Sequence, residues 1–463
     1  MSQNKTMLIL TSSQNFSWFS MTEIIPEIEK LWEDIALKNN LNIEKINVDD
    51  SNVKELILKG MNADFILITC FNLKISWALK ILRNKLEIHA PLKFYVHGMA
   101  TVGLWPLAFW EWDKLWSSRD SFLVSCERDK EILQEKFKNI NVELFPFSAN
   151  IELKNIESDT KERRKSFYYI GRISEQKNIH TLIYTFSKHL ESNKKSILTL
   201  FGKQDELGSP NMGIETIDYQ SYLEELIKKL GIEKNIIFKG FVPREDIESL
   251  IPDGQKIFIS TSLHSDENFG MAVLQALNLG HKAIISNWGG YADFKKYCSD
   301  QISLIDVGVG KYGPYINIRD LLDEMNSLKS ERINENNTTY FTRDHISRNY
   351  KLNLFDDVEK CCDFSFANEI SNIRQTFSND IKSSKIFTSY ADKAYHYFAL
   401  RYSSSTKKRD YKGTMAVLPW VNINDSKVYI DDPHKGKFCL EWEWTESEDN
   451  FRELFKLGYT LSE

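Results

Sequence analysis

Along the first 150 residues, short apolar runs alternate with longer stretches in which apolar positions return every three or four residues. The runs Met7–Thr11, Asp64–Cys70, Leu92–His97, Ser121–Ser125 and Val142–Phe145 are nearly continuous in apolar character. A strand buried on both faces of a sheet needs that continuity. Helical spacing covers Ile24–Asn39, Ile75–Leu86 and Arg128–Lys138. The alternation predicts an open, doubly wound α/β domain over residues 1–150.

The polar, charged stretch Phe147–Arg164 reads as a linker, after which the alternation resumes. Strands are predicted at Phe167–Ile170, Ile197–Phe201, Asn235–Lys239, Lys256–Ser260, Ala283–Ser286 and Ser303–Ile305. Helices fall near Ile179–Leu190, Ser221–Leu230, Asp246–Leu250 and Met271–Leu279. This is a second α/β domain, over 165–330. Two such domains in succession imply a cleft, a default ligand site. From 335 to 463 the pattern changes to a helical region, a polar break at SSSTKKRDYKG, and strand-like TMAVLPWVNI, KVYIDD and KFCLEWEW. The expectation there is a helical return segment and a β-rich extension of unread role.

At 463 residues the chain exceeds one ordinary core, in keeping with two domains plus an extension. A net charge of −6 argues against a nucleic-acid partner held by bulk electrostatics. The 13% aromatic content suits carbohydrate faces, membrane interfaces and cores alike. Six cysteines without C-x-x-C spacing imply neither a zinc site nor a disulfide framework. No run approaches the ~18 apolar residues of a membrane span, and no cleavable leader is recognised. The expected setting is cytoplasmic, with peripheral contact at the inner face of the membrane left open.

Chemistry concentrates between Ile257 and Phe294: a buried strand, a polar loop, a helix opening just after Gly270, a second strand and a Gly-Gly turn. Free N–H groups in a first helical turn, at the positive end of the helix dipole, favour a phosphate. Glu267 stands in the loop beside that turn, where a carboxylate suits a sugar hydroxyl. Asn268, Phe269, Gly270 and Met271 form the helix start; an ordinary N-cap by Asp266 or Asn268 is the plainer reading. Gln275, eight residues beyond Glu267, lies within reach of a ribose hydroxyl. Upstream, GRISEQK (Gly171–Lys177) directly follows the strand FYYI. Gly171 permits close backbone approach, and Arg172 with Lys177 can neutralise a diphosphate without a metal. A solvated surface pair is the alternative.

Together these residues resemble the retaining GT-B glycosyltransferases of group 1, family 4. The family's G-R-x(4)-K turn stands here as Gly171 to Lys177, and its E-x-F-G-x(4)-E motif as Glu267 to Gln275. Asn235–Val242 (NIIFKGFV) is similar to its strand-Gly element near the nucleobase, and Gly289–Asp293 to its Gly-Gly-x-x-Glu turn. The likeness is strong over 165–310, weaker over 1–150 and absent from the last hundred residues. Two positions depart from the pattern: Gln275 replaces the second glutamate, which in the family holds the ribose, and Asp293 replaces the turn's glutamate. A neutral amide keeps a hydrogen bond but gives up a charge-assisted one, worth ~1 kcal/mol.

The resemblance implies two Rossmann-like doubly wound domains facing a cleft, and sugar transfer from a nucleotide-diphosphate sugar with retention of configuration. It implies no metal and no cofactor beyond that co-substrate. Donor binding would fall to Gly171, Arg172, Lys177, Asn268, Phe269, Gly270, Met271 and Gln275, and catalytic roles to Glu267 and His97. His97 ends the strand KFYV, where the resemblance places a residue facing the donor sugar; a structural histidine is the alternative. The segment after it holds Trp105 and Trp110, read as acceptor-stacking rings, a lipid contact, or core and oligomer packing. The acceptor is a glycan, a lipid-linked glycan or another molecule. The pairs Asp49-Asp50 and Asp431-Asp432 lack companion ligands and read as solvated surface. The rival readings are a non-catalytic GT-B-like partner subunit and a nucleotide-sugar epimerase or hydrolase.

Overall fold

The structure is a computed structural model. It describes residues 5–12, 19–51, 53–70, 73–85, 88, 90–97, 117, 119–136, 141–148, 164–174, 177–204, 219–264, 267–310, 313–328, 337–352, 421–424, 427–432 and 436–441. The chain divides into two compact units, Met1–Glu152 with Asn337–Asp380, and Leu153–Asn336 with Ile381–Glu463.

In the first unit the apolar runs become parallel strands: β1 (Thr6–Thr11), β2 (Asn42–Asn47), β3 (Phe65–Ile68), β4 (Leu92–Val96), β5 (Ser121–Val124) and β6 (Asn141–Leu144). They form one six-stranded sheet in the order β2-β1-β3-β4-β5-β6, which is the expected α/β plan. Every residue of β3, β4 and β5 is buried, as continuous apolar runs require. β2 is an element the hydrophobic pattern misses. It pairs on one side only, and its sequence NIEKIN leaves a single position fully buried.

The core of this unit gathers Trp32, Tyr95 and Phe145. The Trp32 indole N–H donates to the Tyr95 hydroxyl at 2.8 Å and its ring stacks on Phe145. A buried Arg83 makes a fork onto both oxygens of Asp120, at 2.8 and 2.7 Å. Asp120 also accepts from the backbone of Leu92 and Ser117, so the pair ties β4 and the approach to β5. The return segment belongs here. Its helix Arg343–Asn349 packs on the helix Phe19–Lys38, and Tyr350 meets Phe145 edge-on at 4.7 Å.

Two sequence readings are corrected in this unit. Asp49 is not solvated: its side chain is 8% exposed, pairs with Lys74 at 2.6 Å and accepts from the Ser12 hydroxyl. Phe147 is not linker. It is buried, with its ring stacked on Tyr95 and His97, because an aromatic side chain gains more from that stack than from solvent.

The second unit holds β7 (Lys165–Ile170), β8 (Ile197–Phe201), β9 (Ile236–Gly240), β10 (Gln255–Ser260), β11 (Lys282–Ser286) and β12 (Ile302–Ile305). These six strands are parallel in the order β12-β11-β10-β7-β8-β9, a Rossmann-like arrangement with the first strand central. Two such sheets in one chain are the domain plan that the GT-B resemblance implies. An antiparallel hairpin, β13 (Val307–Gly310) with β14 (Gly313–Ile316), and the helix Ile318–Ser327 follow. The Lys165 ammonium donates to the carbonyls of Met325 and Asn326, fixing that helix's last turn beside β7. Of the extension, β15 (Val421–Asn424), β16 (Lys427–Asp432) and β17 (Gly436–Glu441) form an antiparallel sheet. Asp431 and Asp432 lie on β16, and their side chains fall outside the description.

Candidate functional site

In the second sheet the strand order reverses between β7 and β10, which lie side by side and whose neighbours run outward in opposite directions. At such a switch point the loops leaving the carboxyl ends of the two strands part and leave a crevice. The loop after β7 is Gly171–Lys177, and the loop after β10 runs to the helix Met271–Asn278. The two sequence motifs, some ninety residues apart, therefore meet at one place.

Lys177 joins the loops. Its ammonium lies 2.6 Å from Glu267 Oε2, with side chains 14% and 11% exposed. The Ser262 hydroxyl donates to the same carboxylate oxygen at 2.6 Å. The Glu267 backbone is fixed as well: its N–H donates to the His264 carbonyl at 3.1 Å, and its carbonyl accepts from Gly290 N–H at 2.7 Å. Asp293 pairs with Lys296 at 3.2 Å, one turn on in the helix Tyr291–Tyr297.

Arg172 is held by a residue the sequence reading passed over. Its Nη2 donates to His264 Nε2 at 2.8 Å. Burial, then the charges of Lys177 and Arg172, push the His264 imidazole well below its ordinary range, so it stays neutral and accepts. The solvated-pair alternative for Arg172 and Lys177 does not hold, since both are engaged in this network. His264 stands at the carboxyl end of a central strand, the same position that singled out His97.

The helix Met271–Asn278 begins at Gly270, whose φ of +106° and missing side-chain cap exclude an Asn268 N-cap. A Cβ there would stand 2.6 Å from the Tyr291 ring, and one at Gly290 would stand 2.3 Å from the Asn268 carbonyl oxygen. Both glycines are therefore needed to pack the loop, helix start and Gly-Gly turn together. Phe269 is buried against Phe294, so its side chain anchors the turn from within. Burial, then the Glu267 charge, raises the Tyr291 hydroxyl well above its ordinary range; it pairs with Ser260 at 3.2 Å. Gln275 is buried and donates its amide N–H to the Arg244 carbonyl at 3.0 Å, tying the helix to the segment after β9.

In the first unit the order reverses between β1 and β3. His97, just after β4, has its Nε2 2.6 Å from the carbonyl of Thr69, just after β3. Its ring stacks with Tyr95 and Phe147, and burial lowers its pKa to about 4. The neutral ring donates from Nε2, leaving Nδ1 as an acceptor without a partner among the described residues. Trp105 and Trp110 lie outside the described residues. Among those residues no three His, Cys, Asp or Glu gather as metal ligands, and no helix is long and apolar enough to cross a membrane.

Residues 150–297, a stretch that includes both motifs, match the family described as Glycosyl transferases group 1. An uncharacterized glycosyltransferase of Methanocaldococcus jannaschii is 27% identical over 138 residues, covering 30% of this chain and 31% of the relative. The mannosylfructose-phosphate synthase of Agrobacterium fabrum is 28% identical over 121 residues, covering 26% and 25%. The chain thus spans about a third or less of the length of these curated relatives. A solved glycosyltransferase from Rickettsia africae superposes over 75% of this chain and 96% of its own, at a TM-score of 0.48 and 14% identity.

Proposed function

We propose that the protein is a retaining, metal-independent glycosyltransferase that moves a sugar from a nucleotide-diphosphate sugar to a glycan, lipid-linked or other acceptor. The observation that carries this reading is the Lys177–Glu267 contact at the switch point, with Arg172 held beside it, inside the stretch that matches group 1. Cations and a carboxylate side by side suit a ligand that is anionic at one end and hydroxylated at the other. The two curated relatives' names, both of sugar-transferring enzymes, support the same class.

In this reading Arg172, Lys177 and the N–H groups opening at Met271 receive the diphosphate, and Gly171, Asn268, Phe269 and Gly270 shape the backbone around it. As the bond from the sugar to the diphosphate breaks, charge grows on the leaving oxygen. Fixed cations there lower the barrier because they need no reorganisation. Glu267 orients the sugar's hydroxyls. Gln275, with its N–H on Arg244, turns its carbonyl oxygen to a ribose hydroxyl. His97 offers Nδ1 to a sugar hydroxyl, and Trp105 with Trp110 stack on the acceptor. The setting is cytoplasmic, with peripheral contact at the inner membrane face.

The test is a donor screen read by release of nucleoside diphosphate, with and without candidate acceptors. Acceptor-dependent release is the expected outcome. Release without any acceptor would favour a hydrolase, and donor conversion without release an epimerase. No binding of any nucleoside diphosphate would leave the non-catalytic subunit.

A further inference from the structure

We propose that Thr261 is a positioning residue, one that holds the Lys177–Asn178 turn in the backbone conformation from which Lys177 reaches the ligand's diphosphate. This rests on the nucleotide-sugar reading above and adds a residue that neither of the two spaced motifs contains.

The turn itself is unusual. Asn178 has φ 54° and ψ 37°, a left-handed conformation that among the described residues only Asn40 shares outside glycine. L side chains avoid it because Cβ crowds the following carbonyl oxygen, and asparagine is one of the few that tolerates it. The Asn178 side chain is engaged nearby: its Oδ1 accepts from the Thr181 hydroxyl at 2.6 Å, in the first turn of the helix Ile179–Ser192. Asn178 thus ends the loop after β7 and starts the helix. Its dihedrals set the course of the chain at Lys177, the residue next to it.

A strained residue persists only where its surroundings hold it. Thr261, the residue after β10, supplies that hold from across the switch point. It is 1% exposed, and its hydroxyl donates to the Asn178 carbonyl at 2.9 Å, with the Lys177 carbonyl a second acceptor at 3.3 Å. The helix's own bond to the Asn178 carbonyl, from Leu182 N–H, is longer at 3.4 Å. On the loop side, Lys177 N–H donates to the Ser174 carbonyl at 3.0 Å. The chain leaving β10 therefore meets Lys177 at both ends: Thr261 at the backbone and Glu267 at the ammonium. A diphosphate would compete with Glu267 for the ammonium, but not with Thr261 for the backbone. A lysine whose root stays fixed loses less freedom when its tip binds a ligand.

Calorimetric titration of the full chain with UDP, GDP, ADP and inorganic pyrophosphate tests this. For the diphosphate that wild type binds, Thr261→Val, which keeps the shape and removes the hydroxyl, should weaken affinity about fivefold. Thr261→Ser, which keeps the hydroxyl, should bind as wild type does. A merely structural role predicts loss in Thr261→Ser as well, since it opens a methyl-sized void in a packed place. Equal losses in Ser and Val therefore overturn the positioning role, and so does wild-type affinity in Thr261→Val. A second pair tests the turn from its other side. Asn178→Gly adopts the left-handed conformation freely and should keep the affinity, whereas the β-branched Asn178→Val resists that conformation and should lose it. Equal affinities in that pair would show that the turn does not carry Lys177. If Thr261→Val fails to fold, the Asn178 pair decides alone. Wild type binding none of the probes is a different failure: it removes the nucleotide-sugar reading and the positioning role with it.

Discussion

The Lys177 ammonium and the Glu267 carboxylate meet at 2.6 Å across the switch point between β7 and β10, although ninety residues separate them in sequence. Each is mostly buried, so removing either partner strands the other's charge in a medium that solvates it poorly. Lys177→Ala and Glu267→Ala should each abolish most transfer while the fold persists, because both sheets are built from other residues. The double variant should be far less than additive, since the second change finds the contact already broken. Steady-state turnover for the four proteins of the cycle measures this, and strict additivity would show that the contact does not act as a unit.

Gln275 stands where the glycosyltransferases that the sequence resembles have a glutamate, and the structure supplies a reason. Its amide donates to the Arg244 carbonyl, a bond that a carboxylate cannot make. Gln275→Glu should therefore bring two acceptors face to face and loosen the segment after β9 rather than improve the site. The expected loss is about 1–3 kcal/mol, the cost of leaving a buried acceptor without its donor. Denaturant unfolding gives the number, and faster amide exchange over 243–247 shows where the loosening occurs. A more stable Gln275→Glu variant would contradict the argument.

Gly270 and Gly290 fail differently as alanine. At Gly270 the cost is backbone strain at φ +106° plus a displaced Tyr291 ring, about 1–3 kcal/mol for the strain alone. At Gly290 the φ is ordinary, but the new methyl meets the Asn268 carbonyl oxygen at 2.3 Å, and backbone cannot step aside as a side chain can. Gly290 N–H also holds the Glu267 carbonyl. Both variants should thus cost nucleotide affinity as well as melting temperature, Gly270→Ala through the strained helix start and Gly290→Ala through the displaced Glu267 loop. Calorimetry and thermal melts of both variants check this.

Strands buried on both faces were legible in the sequence because burial demands uninterrupted apolar runs, as in β3, β4, β10 and β11. β2 was not, because a one-sided edge strand tolerates NIEKIN. The helix Tyr291–Tyr297 escaped notice for another reason: its seven residues give too few turns for a period to show. At the site, spacing identified Lys177 and Glu267. His264 belongs to no spaced motif, and its tie to Arg172 spans 92 positions, a relation that only the folded sheet creates.

The buried histidines set a pH dependence. The His180 ring is buried; its Nδ1 is 2.8 Å from the Tyr219 hydroxyl, and its Nε2 has no partner among the described residues. Nothing there supports a second proton, and burial lowers the pKa to about 4 from its ordinary 6.5. Between those values the unfolded chain binds a proton that the folded chain refuses. Acid therefore favours unfolding. The stabilisation is fully present above pH 6.5 and is lost as pH falls toward 4, by about 1.4 kcal/mol per pH unit for one such group. His189, lowered to about 4 by burial, acts in the same direction in the same unit. His180→Asn, which keeps an amide near the Tyr219 hydroxyl and does not titrate, should flatten the fall in unfolding free energy across pH 6.5–4 by one group's worth. Parallel curves for wild type and variant would mean that His180 accepts its proton without unfolding.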